Sequence, residues 1–259
     1  MSTRAQQYAA HVVRREQLSD HFVRIVLAGL DGFASTGIPD EWVGLVVPGQ
    51  FQSRYYTVRS WEGAELTLDV VVHEQGLVTE WAQRDVVGET VTVTEPKGSF
   101  ALPAGAGWLL LVGDLTALPA MARIAESSTL PTRLWVESPD VVEGYLPADA
   151  DVRWSTPPRD GASAIAEVVE SIDWPAGEGY FWMAGESSQM RAIRKHLMRV
   201  RRLPSSAYDV MGYWRGGAVR QPRAVDPGPI WRAGKAAGLS DEEIWAKYDD
   251  AQSQAQERR

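Results

Sequence analysis

Arg54-Tyr55-Tyr56-Thr57-Val58-Arg59 gathers two guanidiniums, two phenols and a hydroxyl into one short run. On an extended strand, alternation puts Arg54, Tyr56 and Val58 on one face and Tyr55, Thr57 and Arg59 on the other. Such a strand can clamp a phosphate with arginine and stack a planar ring on an aromatic face. The Thr hydroxyl can bond a heteroatom at the edge of that ring. A cross-strand aromatic pair with solvated arginines is the plainer account of the same residues.

Four more segments have chemistry to offer. His73-Glu74-Gln75-Gly76-Leu77-Val78-Thr79-Glu80-Trp81 reads as a strand end, a glycine turn and the start of a short helix. Free N–H groups at a helix start favour a phosphate, and a Thr hydroxyl adds a donor. Gly113-Asp114-Leu115-Thr116-Ala117-Leu118-Pro119-Ala120 and Met183-Ala184-Gly185-Glu186-Ser187-Ser188 each join an apolar strand to a helix through a glycine. In a parallel sheet, ligands bind at the carboxyl ends of strands, and a glycine lets a ligand approach the backbone. Neither segment is a G-x-G-x-x-G fingerprint or a P-loop. Gly212-Tyr213-Trp214-Arg215-Gly216 ends a strand with two adjacent aromatics, either as core residues or as a lid over a planar group.

Positioning these segments takes two kinds of element. Up to about residue 100, apolar residues alternate at Val23, Ile25 and Leu27, at Leu66, Leu68, Val70 and Val72, and at Val91 and Val93, with turn residues between. This predicts an antiparallel barrel. After Pro103-Ala104-Gly105-Ala106-Gly107 come continuous apolar strands at Trp108–Val112, Leu134–Val136 and Tyr180–Met183, a weaker one at Asp151–Trp154 and a last one at Tyr208–Tyr213. Helical stretches over Ala117–Glu126, Ala162–Ile172 and Ser187 to about Arg202 alternate with them, which predicts a parallel sheet covered on both faces. The expected domains are a barrel over 1–104, an α/β domain over 105–220 and a partly helical tail over 221–259, with a helix after Ser240-Asp241-Glu242-Glu243.

Composition excludes much else. The chain of 259 residues has no cysteine, so disulfides, thiolate metal sites and thiol nucleophiles are out. Its four histidines are scattered without helical metal spacing, and no metal site is expected. A net charge of −8 argues against a nucleic-acid partner. No apolar run reaches the ~20 residues of a membrane span, and Met1–Ala10 lacks the apolar core of a signal peptide. A cytoplasmic protein, monomeric or weakly dimeric, is the expectation. The eleven tryptophans suit flat ligands but chiefly a Trp-rich core.

The order of the segments resembles the ferredoxin-reductase-like flavoproteins, and within them the siderophore-interacting protein family of FAD-dependent ferric-siderophore reductases. The resemblance is carried by Arg54, Tyr56, Thr57 and Arg59; by His73, Gly76 and Trp81; by Pro96, Gly98 and Ser99; by Gly113, Asp114, Thr116, Ala117, Leu118, Pro119 and Ala120; and by Gly185, Glu186, Gly212, Tyr213, Trp214 and Gly216. It implies a six-stranded FAD-binding barrel followed by an NAD(P)H-binding α/β domain. Arg54 would neutralise an FAD phosphate, Tyr56 would stack on or edge the isoalloxazine beside Tyr55, and Thr57 would bond near flavin N5. Gly76, Leu77, Val78 and Thr79 would hold the pyrophosphate on backbone amides, with His73 and Trp81 flanking them. Gly113, Asp114, Thr116, Ala117, Pro119 and Gly185 would border the dinucleotide crevice, with Glu186 near the nicotinamide. Tyr213 or Trp214 would cover the flavin.

The implied reaction passes a hydride from NADH or NADPH to FAD and then single electrons to the iron of a ferric siderophore, with Thr57, Glu186 and Trp214 nearest the chemistry. The alternatives are a flavin reductase or electron-transfer flavoprotein with another acceptor, and a non-catalytic flavin-bearing siderophore binder or sensor. Three positions depart from the family's usual pattern: Gly44, where a lysine is common; Leu115, in place of an acid; and Glu95, in place of a glycine. Glu137, at the end of the second α/β strand, could bond a ribose hydroxyl and disfavour a 2′-phosphate, or Arg191 or Arg194 could bind that phosphate instead, so the sequence leaves NADH and NADPH both open.

Overall fold

The computed structural model describes residues 6–73, 76–158 and 162–215, together with Ile230, Ala233, Ala237 and Lys247. The chain forms two compact units, Met1–Gly217 and Ala218–Arg259. In the second, the Ala237 N–H donates to the Ala233 carbonyl at 3.0 Å. Apart from Lys247, the helix expected after Ser240 lies outside the described residues.

The first unit begins with a closed antiparallel barrel. Its strands are β1 (Gln7–Ser19), β2 (Phe22–Ala28), β3 (Trp42–Val46), β4 (Arg54–Glu62), β5 (Glu65–Val71) and β6 (Thr90–Thr94), arranged β1-β2-β5-β4-β3-β6. The alternating residues Val23, Ile25, Leu27, Val43, Leu45, Val58, Leu66, Leu68 and Val93 all point into one buried core. The turn between β4 and β5 is two residues long, Gly63 at φ 57° and Ala64 at φ 65°, and a hairpin this tight takes left-handed backbone at both positions. β1 carries only a short apolar alternation, Tyr8, Ala10 and Val12, of which Ala10 and Val12 are buried. It closes the barrel by pairing with β6, Gln7 opposite Thr94 through His11 opposite Thr90.

A five-stranded parallel sheet follows. Its strands are β7 (Leu109–Asp114), β8 (Thr132–Glu137), β9 (Asp151–Ser155), β10 (Tyr180–Glu186) and β11 (Tyr208–Trp214), in the order β11-β10-β7-β8-β9. The helices are α1 (Leu77–Ala82), inside the barrel segment, and α2 (Leu118–Ser127), α3 (Ile165–Ser171) and α4 (Met190–Arg199), around the sheet. Both faces of the sheet are buried. Leu109, Leu111, Trp182 and Ala184 pack on α2, while Leu110, Val112, Phe181 and Met183 pack with Ile165, Val169, Ile193 and Leu197 of α3 and α4.

The barrel and the sheet share packing. Phe22 of β2 is fully buried in the core of the α2 face, with Leu18, Val71 and Phe100 against it. Two adjacent buried acids add polar ties. Asp40 accepts from the Ser99 N–H (2.9 Å), the Ser99 hydroxyl (2.8 Å), the Phe100 N–H (2.9 Å) and the Trp182 indole (3.4 Å). Glu41 accepts from Ser35, Thr36 and, at 3.1 Å, the Arg123 guanidinium of α2, which also donates to the Val58 carbonyl at 2.7 Å. Arg59 of β4 grips Glu126 of α2 through two bonds of 3.0 and 2.6 Å.

Candidate functional site

The sheet order sets where a ligand can lie. From β7 the chain moves outward through β8 to β9, then returns to place β10 on the other side of β7. That reversal makes the carboxyl ends of β7 and β10 the switch point of an open α/β sheet, the place where such sheets take a ligand in a crevice. Gly113 and Asp114 end one strand, and Gly185 and Glu186 end the other. β11 adds Tyr213 and Trp214 at the same end.

The two aromatics diverge because of a bulge. Gly185 pairs with Gly212, but Glu186 pairs with Trp214, so Tyr213 is the extra residue. Bulges re-aim side chains. The Tyr213 hydroxyl turns toward the barrel and faces the Thr57 hydroxyl. Trp214 turns the other way, and its indole N–H donates to Asp114 Oδ2 on β7. The Trp214 carbonyl accepts from the Ser187 N–H at 2.7 Å and the Ser187 hydroxyl at 2.6 Å.

Thr57 Oγ1 and the Tyr213 hydroxyl are both buried, and neither completes a hydrogen bond of good geometry. A buried polar atom without a partner costs about 1–3 kcal/mol. Burial and the charge of Asp40 hold the Tyr213 phenol neutral, above its ordinary pKa. A planar heterocycle presenting a ring nitrogen or carbonyl at Thr57 would supply the missing partner, so these residues fit a flavin edge. Nearby, Tyr56 is half-buried, with its phenol also held neutral by burial, while Arg54 and Tyr55 are exposed, the latter at 70%. Among the described residues, no ion pair engages Arg54.

The remaining candidates divide. α1 begins after Gly76 at φ 142° with no capping side chain, so its first-turn N–H groups are free of one. Leu77 is partly exposed and His73 exposed. Val78, Thr79 and Trp81 are buried instead; the Trp81 indole donates to Glu89 at 2.8 Å, which makes Trp81 a barrel-core residue with no face for a ligand. Around the crevice, Ala117 and Pro119 are buried in the α2 junction and Thr116 is half-buried.

The reading of Gly113 as room for a ligand needs correction. A Cβ there would stand 2.6 Å from Ala117 Cβ and 2.8 Å from Met121 Sδ, so the missing side chain lets α2 close on β7. Gly185 is crowded by protein as well: at φ 155°, a Cβ would lie 2.7 Å from Asp114 Oδ2 and 3.3 Å from Ile165 Cδ1. Glu137 is also differently employed. It is buried and accepts from the Ala164 N–H at 2.7 Å, which orders the approach to α3.

Three carboxylates therefore end neighbouring strands: Glu137, Asp114 and Glu186, all buried. Asp114 accepts from the Thr116 N–H at 2.9 Å and from the Thr116 hydroxyl as well as from Trp214. Burial raises its pKa, and those hydrogen bonds offset only part of the rise. Glu186 accepts from the Ser188 N–H at 2.8 Å and from its hydroxyl. Sequence reasoning missed Asp40, Glu41, Arg123 and Ser187. A Ser two residues past a crevice glycine was the one local signal for Ser187; buried acids next to each other leave none.

A closed six-stranded barrel leading into a five-stranded parallel α/β sheet is the ferredoxin-reductase-like arrangement. Residues 50–100 match the siderophore-interacting FAD-binding domain and residues 106–217 match the siderophore-interacting protein family. The chain belongs to the siderophore-interacting proteins, and FAD is the cofactor of its barrel.

Similar proteins agree. A protein named NADPH-dependent ferric-chelate reductase from Escherichia coli is 28% identical over 240 residues, covering 78% of this chain and 91% of its own. Ferric vibriobactin reductase of Vibrio cholerae is 25% identical over 241 residues, with 79% and 88% covered. The crystal structure of a siderophore utilization protein from T. fusca superposes with a TM-score of 0.72 at 26% identity, over 82% of this chain and 94% of that one.

Proposed function

We propose that this protein is a flavin-dependent reductase of ferric siderophores that draws its electrons from NADH or NADPH. The carrying observation is the juxtaposition of two features: the strand-order switch point between β7 and β10, and the buried Thr57 hydroxyl, which faces Tyr213 without a hydrogen bond of good geometry. One suits a dinucleotide and the other the edge of a flavin. The names of the two reductases similar to this chain support the same reading.

Bound FAD supplies the chemistry that no side chain here can, accepting a hydride and releasing electrons singly. The chain's own residues bind and orient. Arg54, exposed at the head of β4, would be the cation for an FAD phosphate. The amides of Gly76 to Thr79, which no side chain among the described residues caps, would hold the pyrophosphate. Tyr56 would back the ring and Thr57 would orient its edge, while Tyr213 would keep water from the Thr57 side. Thr116, Gly185 and Glu186 would border the nicotinamide. Ferric iron held by hard oxygen ligands is the substrate, and the softer ferrous ion binds those ligands less tightly, so reduction promotes release. No helix among the described residues is long and apolar enough to cross a membrane.

Anaerobic mixing of the purified flavoprotein with NADH and with NADPH tests this. Bleaching of the flavin by one of them, followed by ferrous iron trapped from a ferric siderophore, is the expected result. Persistent yellow colour with both nucleotides defeats the reductase reading. Bleaching without iron reduction, across hydroxamate and catecholate chelates, defeats the siderophore.

A further inference from the structure

Trp214 starts on β11 and ends on β7, two strands away, with β10 between. Its indole therefore crosses the carboxyl end of β10, which is the mouth of the switch-point crevice. Three features hold it there. The Tyr213 bulge aims the side chain inward, Ser187 fixes the Trp214 carbonyl with two hydrogen bonds, and Asp114 Oδ2 takes the indole N–H. Asp114 is itself fixed, because Thr116 donates twice to its other oxygen. Gly185 completes the arrangement, since any side chain at that position would meet Asp114 Oδ2.

We propose that Asp114 is a positioning residue that latches the Trp214 indole across the crevice mouth, so that a nicotinamide dinucleotide enters by breaking this hydrogen bond. The inference rests on the reading of the crevice as the nicotinamide site. Asp114 touches neither nucleotide nor flavin in this scheme; it acts through Trp214. Opening the latch sets a carboxylate–indole hydrogen bond against the contacts of the incoming nucleotide. A variant without the latch keeps those contacts and loses the opposing term, so it binds more tightly.

Asp114→Asn is selective. Its amide oxygen still accepts from Thr116, while its NH2 group meets the indole N–H donor to donor. Trp214→Phe removes the same bond from the other side and leaves β7 untouched, which keeps the test alive should Asp114→Asn fold poorly. The measurement is calorimetric titration of the flavin-loaded protein with oxidised NAD+ and NADP+, which bind without reacting. Each single variant is expected to bind its preferred nucleotide about tenfold more tightly, the worth of one hydrogen bond to a charged group. The double variant is expected to gain no more than either single one, with flavin content unchanged. Unchanged or weaker binding by Asp114→Asn, or gains that add in the double variant, overturns the latch while leaving the nicotinamide reading in place. No binding of either nucleotide by wild type or by any variant overturns both.

Discussion

Thr57 is the residue on which structure and chemistry meet most directly. Its hydroxyl is buried and faces Tyr213 without a hydrogen bond of good geometry, so it contributes little to the protein without ligand and more when a better partner arrives. Thr57→Val should therefore move two measurements in opposite directions. Denaturant unfolding of the flavin-free protein should show stability unchanged or raised by up to about 1 kcal/mol, while FAD affinity falls about tenfold. A loss of both, or of neither, would show that the hydroxyl has another task. The motif at 54–59 was legible because alternation sorts its faces without any tertiary knowledge. Gly113 was not, because a glycine in a line of text does not say which neighbour needs the space. Met121 and Ala117 need it, and Gly113→Ala should cost about 1–3 kcal/mol through overpacking, read by chemical denaturation.

At the scale of elements, α2 is the part that fastens sheet to barrel. Arg123 reaches from it to Glu41, which is fully buried, and to the Val58 carbonyl. Arg123→Met leaves a buried carboxylate with one charge partner fewer and should cost about 3–5 kcal/mol in unfolding free energy. Pairing it with Glu41→Gln should restore part of that loss, and a double variant as unstable as the sum of both singles would count against the pair.

A second fastening joins the β1–β2 turn to the segment after β8. Asp140 accepts from the Ser19 hydroxyl at 2.7 Å, the His21 N–H at 3.1 Å and the His21 ring at 2.9 Å. Burial opposes its charge, yet these bonds together hold its pKa below the ordinary value. A carboxyl lowered on folding stabilises at neutral pH, and that contribution fades as the pH falls through and below the usual carboxylate range. Asp140→Asn should flatten the acid limb of the stability–pH curve and leave the limb above pH 7 as it was. Neither fastening was visible beforehand. Acidic residues in a soluble chain normally face water, and only the closed fold shows that Asp40 and Glu41 do not. β1 escaped because its inward alternation is short, Tyr8, Ala10 and Val12, before Arg14-Arg15-Glu16-Gln17 turns the strand polar.

For the whole molecule, the shared packing around Phe22 makes barrel and sheet one cooperative body within Met1–Gly217. Amides of β5 and of β7 should exchange hydrogen through the same global opening, with one free energy and one denaturant dependence, as followed by mass spectrometry of their peptides. Two distinct openings would show that the halves unfold separately. The order of barrel and sheet was readable from the change of hydrophobic period near residue 105, since period-two patterns and continuous apolar strands specify different sheets. The crevice's lining was only half readable. The glycine junctions show in the text, but the crossing of Trp214 to Asp114 depends on a bulge and on strand order, which no local pattern encodes.

That strand order also sets a sequence of events at the ribosome. The barrel can close once β6 has emerged to pair with β1, whereas Tyr213 and Trp214 sit on β11, the last strand of the sheet to be made. A nascent chain thus holds every barrel strand, with Thr57 uncovered, before β11 exists, and since barrel and sheet form one cooperative body the pocket and its roof are completed together when β11 docks against β10.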